Sequence, residues 1–196
     1  MRRLRIILGL AVQIALVSLV TAEAFASQFV VFPKASELVS PDGRFAVRSV
    51  DSQGSASDIG GTFRTLWLFE FATGGSRKLC DYLGVASVAW SSNDWLVVTQ
   101  YVGKRTSRAL VFSATAGNDP VMLDKITLTR LIPAELRPSL RENDHVFVEA
   151  SRVEHDTLYL AVWGYGQHDA NGFRWRCEYS LREGTASCIE DRGSHN

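Results

Sequence analysis

After its first 26 residues this chain is cut by turn chemistry into short apolar stretches, which leaves room for strands and little else. Stretches rich in β-branched and aromatic residues recur at Phe29–Phe32, Phe45–Val50, Leu66–Phe71, Ala86–Trp90, Trp95–Val102, Ala109–Phe112, Ile126–Leu131, Val146–Glu149, Thr157–Trp163 and Phe173–Tyr179. Between them stand Pro41-Asp42-Gly43, Thr73-Gly74-Gly75, Ser91-Ser92-Asn93 and Ala116-Gly117-Asn118-Asp119-Pro120, residues that favour the backbone angles of tight turns. Short strands at even spacing, with no helical periodicity between them, predict an all-β fold of antiparallel meanders. One short helix is expected near 134–142, with Pro133 in its first turn and Pro138 interrupting or splitting it. The Gly/Ser-rich stretch from Gln53 to Thr62 reads as a loop.

The excluded first 26 residues have a pattern of their own. Arg2, Arg3 and Arg5 precede an apolar run from Ile6 to Val20, and Ala24-Phe25-Ala26 supplies the small residues of a cleavage site. Charged, apolar and small-residue regions in that order match a secretory signal peptide. A membrane-spanning helix needs about 20 apolar residues, and this run is shorter and interrupted by Gly9, Gln13 and Ser18. The chain is therefore expected to divide into a signal peptide at 1–26 and a single all-β domain at 27–196. Its expected location is the periplasm or the extracellular space, with no membrane span after cleavage.

A domain of 170 residues is large enough to bury a core without metals. It carries 18 basic and 20 acidic residues, a net charge of −2. A near-neutral balance lacks the basic surface that binding to nucleic acid relies on. Three cysteines fall within it, and in an oxidising compartment a pair is expected to close. Cys177 and Cys188 flank Arg182-Glu183-Gly184, a hairpin turn with glycine at the left-handed position. If Leu181 faces Gly184, then Tyr179 faces Ala186 and Cys177 faces Cys188 on one side of adjacent strands. Cys80 is then left buried and reduced. Pairing of Cys80 with either partner is the alternative that sequence leaves open.

An internal repeat is also legible. Ser40-Pro41-Asp42-Gly43-Arg44-Phe45-Ala46-Val47 aligns with Ser91-Ser92-Asn93-Asp94-Trp95-Leu96-Val97-Val98. Downstream, Leu66-Trp67-Leu68-Phe69 aligns with Ala109-Leu110-Val111-Phe112, and Leu79 with Met122. A third unit pairs Glu70-Phe71 with Glu178-Tyr179 and Cys80 with Cys188. These residues resemble the propeller-blade repeat of periplasmic TolB-like proteins and of prolyl-oligopeptidase-type propellers. The resemblance implies that Asp42-Gly43 makes the tight turn between the first two strands of a blade. Closed propellers have four to eight blades, so three units imply an open fragment, an oligomer that completes a ring, or a sandwich of blade-like meanders.

No nucleophile elbow, zinc-protease, phosphate-loop or dinucleotide motif occurs, so no catalytic, metal or cofactor site is expected. Ser91 and Ser113 stand in turn and strand contexts without a base nearby in sequence, and His155-Asp156 reads as a polar turn. The candidate binding residues are Trp163, Tyr165, Gln167, His168 and Asp169, in a segment holding two aromatics and three glycines up to Gly172. Glycines let a backbone approach a ligand, and aromatic faces stack on sugars or peptides. The competing reading is a long hairpin connection whose aromatics cap the core. Trp67, Trp90 and Trp163 are expected to fill the core. Trp175 alternates with Phe173 and Cys177 on a buried face, which leaves Arg174 and Arg176 solvated.

The function expected is a non-enzymatic one, binding a protein or glycan partner through loops at one end of the sheets. A secreted hydrolase acting on cell-envelope material is the alternative, and self-association through open sheet edges a third. Mass spectrometry of the exported protein should find a chain beginning at Ser27. An intact residue 1–26 segment would refute the signal peptide.

Overall fold

The computed structural model describes residues 28–56, 62–91, 94–103, 105–117, 119–166 and 172–191. The expected signal peptide and Gln167, His168 and Asp169 lie outside these residues. Among the described residues thirteen strands form three antiparallel sheets, so the all-β expectation holds.

The first sheet runs in sequence order through β2 (Glu37–Val39), β3 (Phe45–Ala56), β4 (Thr62–Glu70) and β5 (Ser76–Leu83). The middle sheet is β6 (Ala86–Ser91), β7 (Trp95–Tyr101), β8 (Ser107–Ser113) and β9 (Val121–Leu123), with β1 (Val30–Phe32) added beside β6. The third is β10 (His145–Glu154), β11 (Thr157–Tyr165), β12 (Phe173–Ser180) and β13 (Ala186–Glu190). The stretch from Gln53 to Thr62, expected as a loop, is instead partly strand, since β3 continues to Ala56 and β4 begins at Thr62.

Side-chain alternation decides how the sheets stack. Phe45, Val47, Leu66 and Leu68 of the first sheet meet Val88, Trp90, Leu96, Val98, Leu110 and Phe112 of the middle sheet in one core. The opposite face of the middle sheet, with Val97, Ala109, Val111 and Leu123, meets Leu158, Leu160, Val162, Trp175 and Cys177 of the third sheet in a second core. Two apolar faces make Trp95–Val98 of β7 and Ala109–Phe112 of β8 unbroken hydrophobic runs, whereas β12 alternates residue by residue.

The stretch Ile126–Leu131, expected as a strand, is instead helix α1 (Lys125–Leu131). Asp124 caps it by accepting from the Thr127 amide at 2.8 Å, and Leu128 and Ile132 fall at helical spacing into the second core. Capping and tertiary burial outweigh the β-propensity of Ile126 and Thr129 here. The expected helix near 134–142 is split, as Pro138 requires. A 3-10 turn at Ala134–Leu136 leads into α2 (Arg137–Glu142), whose first turn takes the proline.

Turn chemistry fixes the hairpins. Ser40 Oγ accepts the Phe45 amide at 2.9 Å and donates to Asp42 Oδ1 at 2.7 Å, while Gly43 takes φ +71°. The Ser40 hydrogen bond, with Arg44 beside it, holds the Asp42 carboxyl at about 2. In the aligned segment Ser91 instead donates to the His155 carbonyl of the third sheet, and His155 itself turns the chain at φ +50°. The β4–β5 and β12–β13 turns share one geometry, with Gly74 and Gly184 at φ +67° and +68°. The equivalence of these glycines is two residues out of step with the expected pairing of Glu70 with Glu178.

The last hairpin has the expected register. Tyr179 pairs with Ala186 and Cys177 with Cys188, and the two sulfurs form a disulfide across the ladder. Cys80 is free and half-buried, and burial pushes its thiol up to about 12. The disulfide closes a short loop, so its loss should cost about 2–3 kcal/mol through the entropy returned to the unfolded chain. Replacing both Cys177 and Cys188 with Ser should lower the unfolding free energy read from urea denaturation by that amount, and an unchanged value would remove the bond's structural role.

Candidate functional site

The inner face of the third sheet is core, and its outer face carries the groove. On β11, Leu158, Leu160 and Val162 point inward, so Tyr159, Ala161, Trp163 and Tyr165 point outward. Trp163 therefore does not fill the core as expected; it is half-buried on the outer face. Trp67 departs in the same way, because Leu66 and Leu68 take the core positions on β4. Trp90 and Trp175 are buried as expected.

Strand register sets the outer face in rungs. His145 of β10 stands opposite Tyr165, and Phe147 opposite Trp163 and then Arg174 of β12. Glu149 stands opposite Ala161, Arg176 and Ile189. A bulge at Ser151 then brings Arg152 opposite Tyr159, followed by Glu178 and Ser187. With Ser151 in regular register instead, strict alternation would point Arg152 into the core.

The aromatics are fixed by one another. Trp163 stacks on Phe147 with ring centroids 3.9 Å apart and planes at 11°. Tyr165 follows at 6.3 Å from Trp163 and packs on His145 at 4.7 Å. Tyr101 of the middle sheet meets Phe147 edge-on at 6.5 Å and donates its hydroxyl proton to Glu149 at 2.9 Å. That hydrogen bond raises the pKa of the Tyr101 phenol. Arg152 lies 4.0 Å over the Tyr159 ring, and Arg176 pairs with Asp191 at 2.8 Å. Ala161 is the small residue in the middle of these long side chains, and it leaves an open groove of about 850 Å³ above it.

Of the candidate binding residues, Trp163 and Tyr165 stand on this face, with Trp163 lining the groove and Tyr165 at its end. Gln167, His168 and Asp169 are not among the described residues. Tyr159, Ala161 and Glu178 are site residues that the loop-centred reading does not include, and Arg174 and Arg176, expected as a solvated pair, line the same groove. The period-two alternation of Thr157–Tyr165 would have found the first two, once joined to the Cys177–Cys188 register.

The glycines of this segment serve the protein's own packing. A side chain at Gly164 would meet Phe173 at 2.6 Å and the His145 carbonyl at 2.7 Å, and one at Gly172 would overlap the Gly164 carbonyl. At this end, among the described residues, the buried atoms Asn143 Oδ1 and His145 Nδ1 have no hydrogen-bond partner.

The serines first weighed as nucleophiles are engaged structurally. Ser91 is buried and bonded to His155, and Ser113 Oγ accepts the Ala116 amide at 3.0 Å. The most displaced carboxyl and thiol, Asp42 and Cys80, both belong to the first sheet's hairpins, away from the groove. Among the described residues no group of three or more His, Cys, Asp or Glu side chains is placed to hold a metal ion. Nor, among them, is any helix long and apolar enough to cross a membrane. Compared with protein-family models, curated proteins and solved structures, the chain matches none.

Gly164→Ala should destabilise the protein by about 1–3 kcal/mol, the usual cost of forcing atoms into a filled site. Thermal unfolding measures it, and a wild-type midpoint would show that Phe173 and β10 yield freely.

Proposed function

We propose that this protein is an exported, non-enzymatic binding protein that holds a protein or glycan partner in the outer groove of its third sheet. The observation that carries this reading is the placement of Trp163, Tyr159, Arg174 and Arg176 around Ala161 on a disulfide-tied sheet. Aromatic rings with charged neighbours, presented by strands rather than by loose chain, supply contact area with little ordering cost on binding. The disulfide suits an oxidising compartment. The three consecutive meanders also suit the propeller-blade resemblance, which would make the groove the outer face of a terminal blade.

The test is retention of envelope components by the immobilised protein, with Ala161→Trp and Lys78→Ala variants alongside. Ala161→Trp adds bulk on an open surface and should abolish retention while leaving the circular-dichroism spectrum unchanged. Lys78 is on the first sheet, and its variant should behave as wild type. Undiminished retention by Ala161→Trp would show that the partner binds elsewhere. Turnover of an envelope substrate by the wild-type protein would replace binding with the hydrolase reading.

A further inference from the structure

Building on that reading, we propose that the occupant of the groove is a glycan bearing a carboxylate, with Arg174 as the residue that holds the acid. Three guanidinium groups line the groove, and two are already engaged. Arg176 is paired with Asp191 at 2.8 Å, while Arg152 is paired with Glu154 at 3.2 Å and laid over Tyr159. Arg174 is exposed and, among the described residues, has no side-chain hydrogen bond or ion pair. Glu178 shares its face of β12 but stands four residues away, about 13 Å along an extended strand. No ion pair joins Glu178 to Arg174 among the described residues, and Asp191, whose amide donates to the Arg174 carbonyl at 2.8 Å, gives its carboxylate to Arg176.

The surroundings of Arg174 specify more than a negative charge. Its cross-strand neighbour is Trp163, held upright against Phe147. A guanidinium presents parallel donors that match the two oxygens of a carboxylate, beside an indole face that matches the C–H face of a sugar ring. Tyr159 supplies a second ring four residues along the same strand, again about 13 Å away. Ala161 keeps the floor between the two rings open. The arrangement suits an oligomer whose successive rings rest on Trp163 and Tyr159, with an acid at the Arg174 end.

A peptide fits this surface less well. Peptides that join sheets do so by main-chain hydrogen bonds along a free edge. The groove lies on a sheet face, where the main-chain groups of β11 and β12 are already paired on both sides. What the face offers is rings, guanidinium groups, carboxylates and the Ser187 hydroxyl.

The experiment applies the purified protein to an array of neutral oligosaccharides, their counterparts bearing uronic, sialic or muramic acid, and envelope-derived peptides. An acidic glycan that binds is then titrated by calorimetry alongside its carboxylate methyl ester. The acid should bind more tightly than the ester. Arg174→Gln should weaken acid binding by about tenfold or more, as for loss of a charged hydrogen bond, and leave ester binding unchanged. Tyr159→Ala should weaken both forms, and circular dichroism checks that each variant is folded. Equal binding of acid and ester, or an indifferent Arg174→Gln, would overturn the carboxylate and leave the groove reading intact. Retention of peptides alone would overturn the glycan, and silence across the whole array would overturn both readings.

Discussion

The middle sheet is apolar on both faces, and the positions of the other two sheets follow from it. Along β7, Leu96 and Val98 enter one core while Val97, between them, enters the other. A strand so placed cannot slip by one residue without exchanging two complete sets of core contacts, so its register is strongly specified. Trp90 stacks on Phe45 of the first sheet with centroids 6.3 Å apart, and the Ser91 hydroxyl ties the next turn to His155 of the third. One short hairpin thus orients the whole stack.

The end sheets are built to stop that stack. The outer face of the first carries Arg48 paired with Glu37 and Lys78 paired with Asp81, and the third carries Arg152, Arg174, Arg176, Glu149 and Glu178. Burying such a set under another sheet would desolvate every charge, which rarely repays itself. Charged outer faces therefore disfavour burial of either end sheet under a further sheet. Against that solvated background, the row from His145 through Tyr165 to Phe147 and Trp163 stands out as more apolar surface than an end sheet needs.

Legibility in the sequence followed local chemistry. The class of fold, the split helix and the Cys177–Cys188 rung could be read because proline, glycine and strict alternation act within a few residues. Strand β5 opens on the polar Ser76-Arg77-Lys78, and β2 and β9 are three residues each, too short to show an alternation. The sequence of α1 favours a strand locally, and its reason for being helical lies in the core that Leu128 enters, not in Ile126 or Thr129. For the site, Trp163 and Tyr165 were visible as residues, but their face was not. Glycines that suggested a ligand's approach prove to admit Phe173 and the backbone of β10. Which side of a strand faces solvent depends on what is stacked against the other, and that is a property of three sheets together.

The first strand has a consequence for how the molecule is assembled as a set of parts. Because β1 pairs with β6, the chain enters the middle sheet, leaves it to build the entire first sheet, and returns beside its point of departure, with Phe32 directly opposite Ala86. The first sheet is thus an excursion between two neighbouring ladder positions, and its entry and exit are a single strand spacing apart. A segment with adjoining ends is joined to its host in the manner of an inserted domain. Loss of such a unit would leave the connectivity of the groove-bearing half untouched but would bare the middle sheet's Val88, Trp90, Leu96 and Val98, so the join is simple in the chain and extensive in the core.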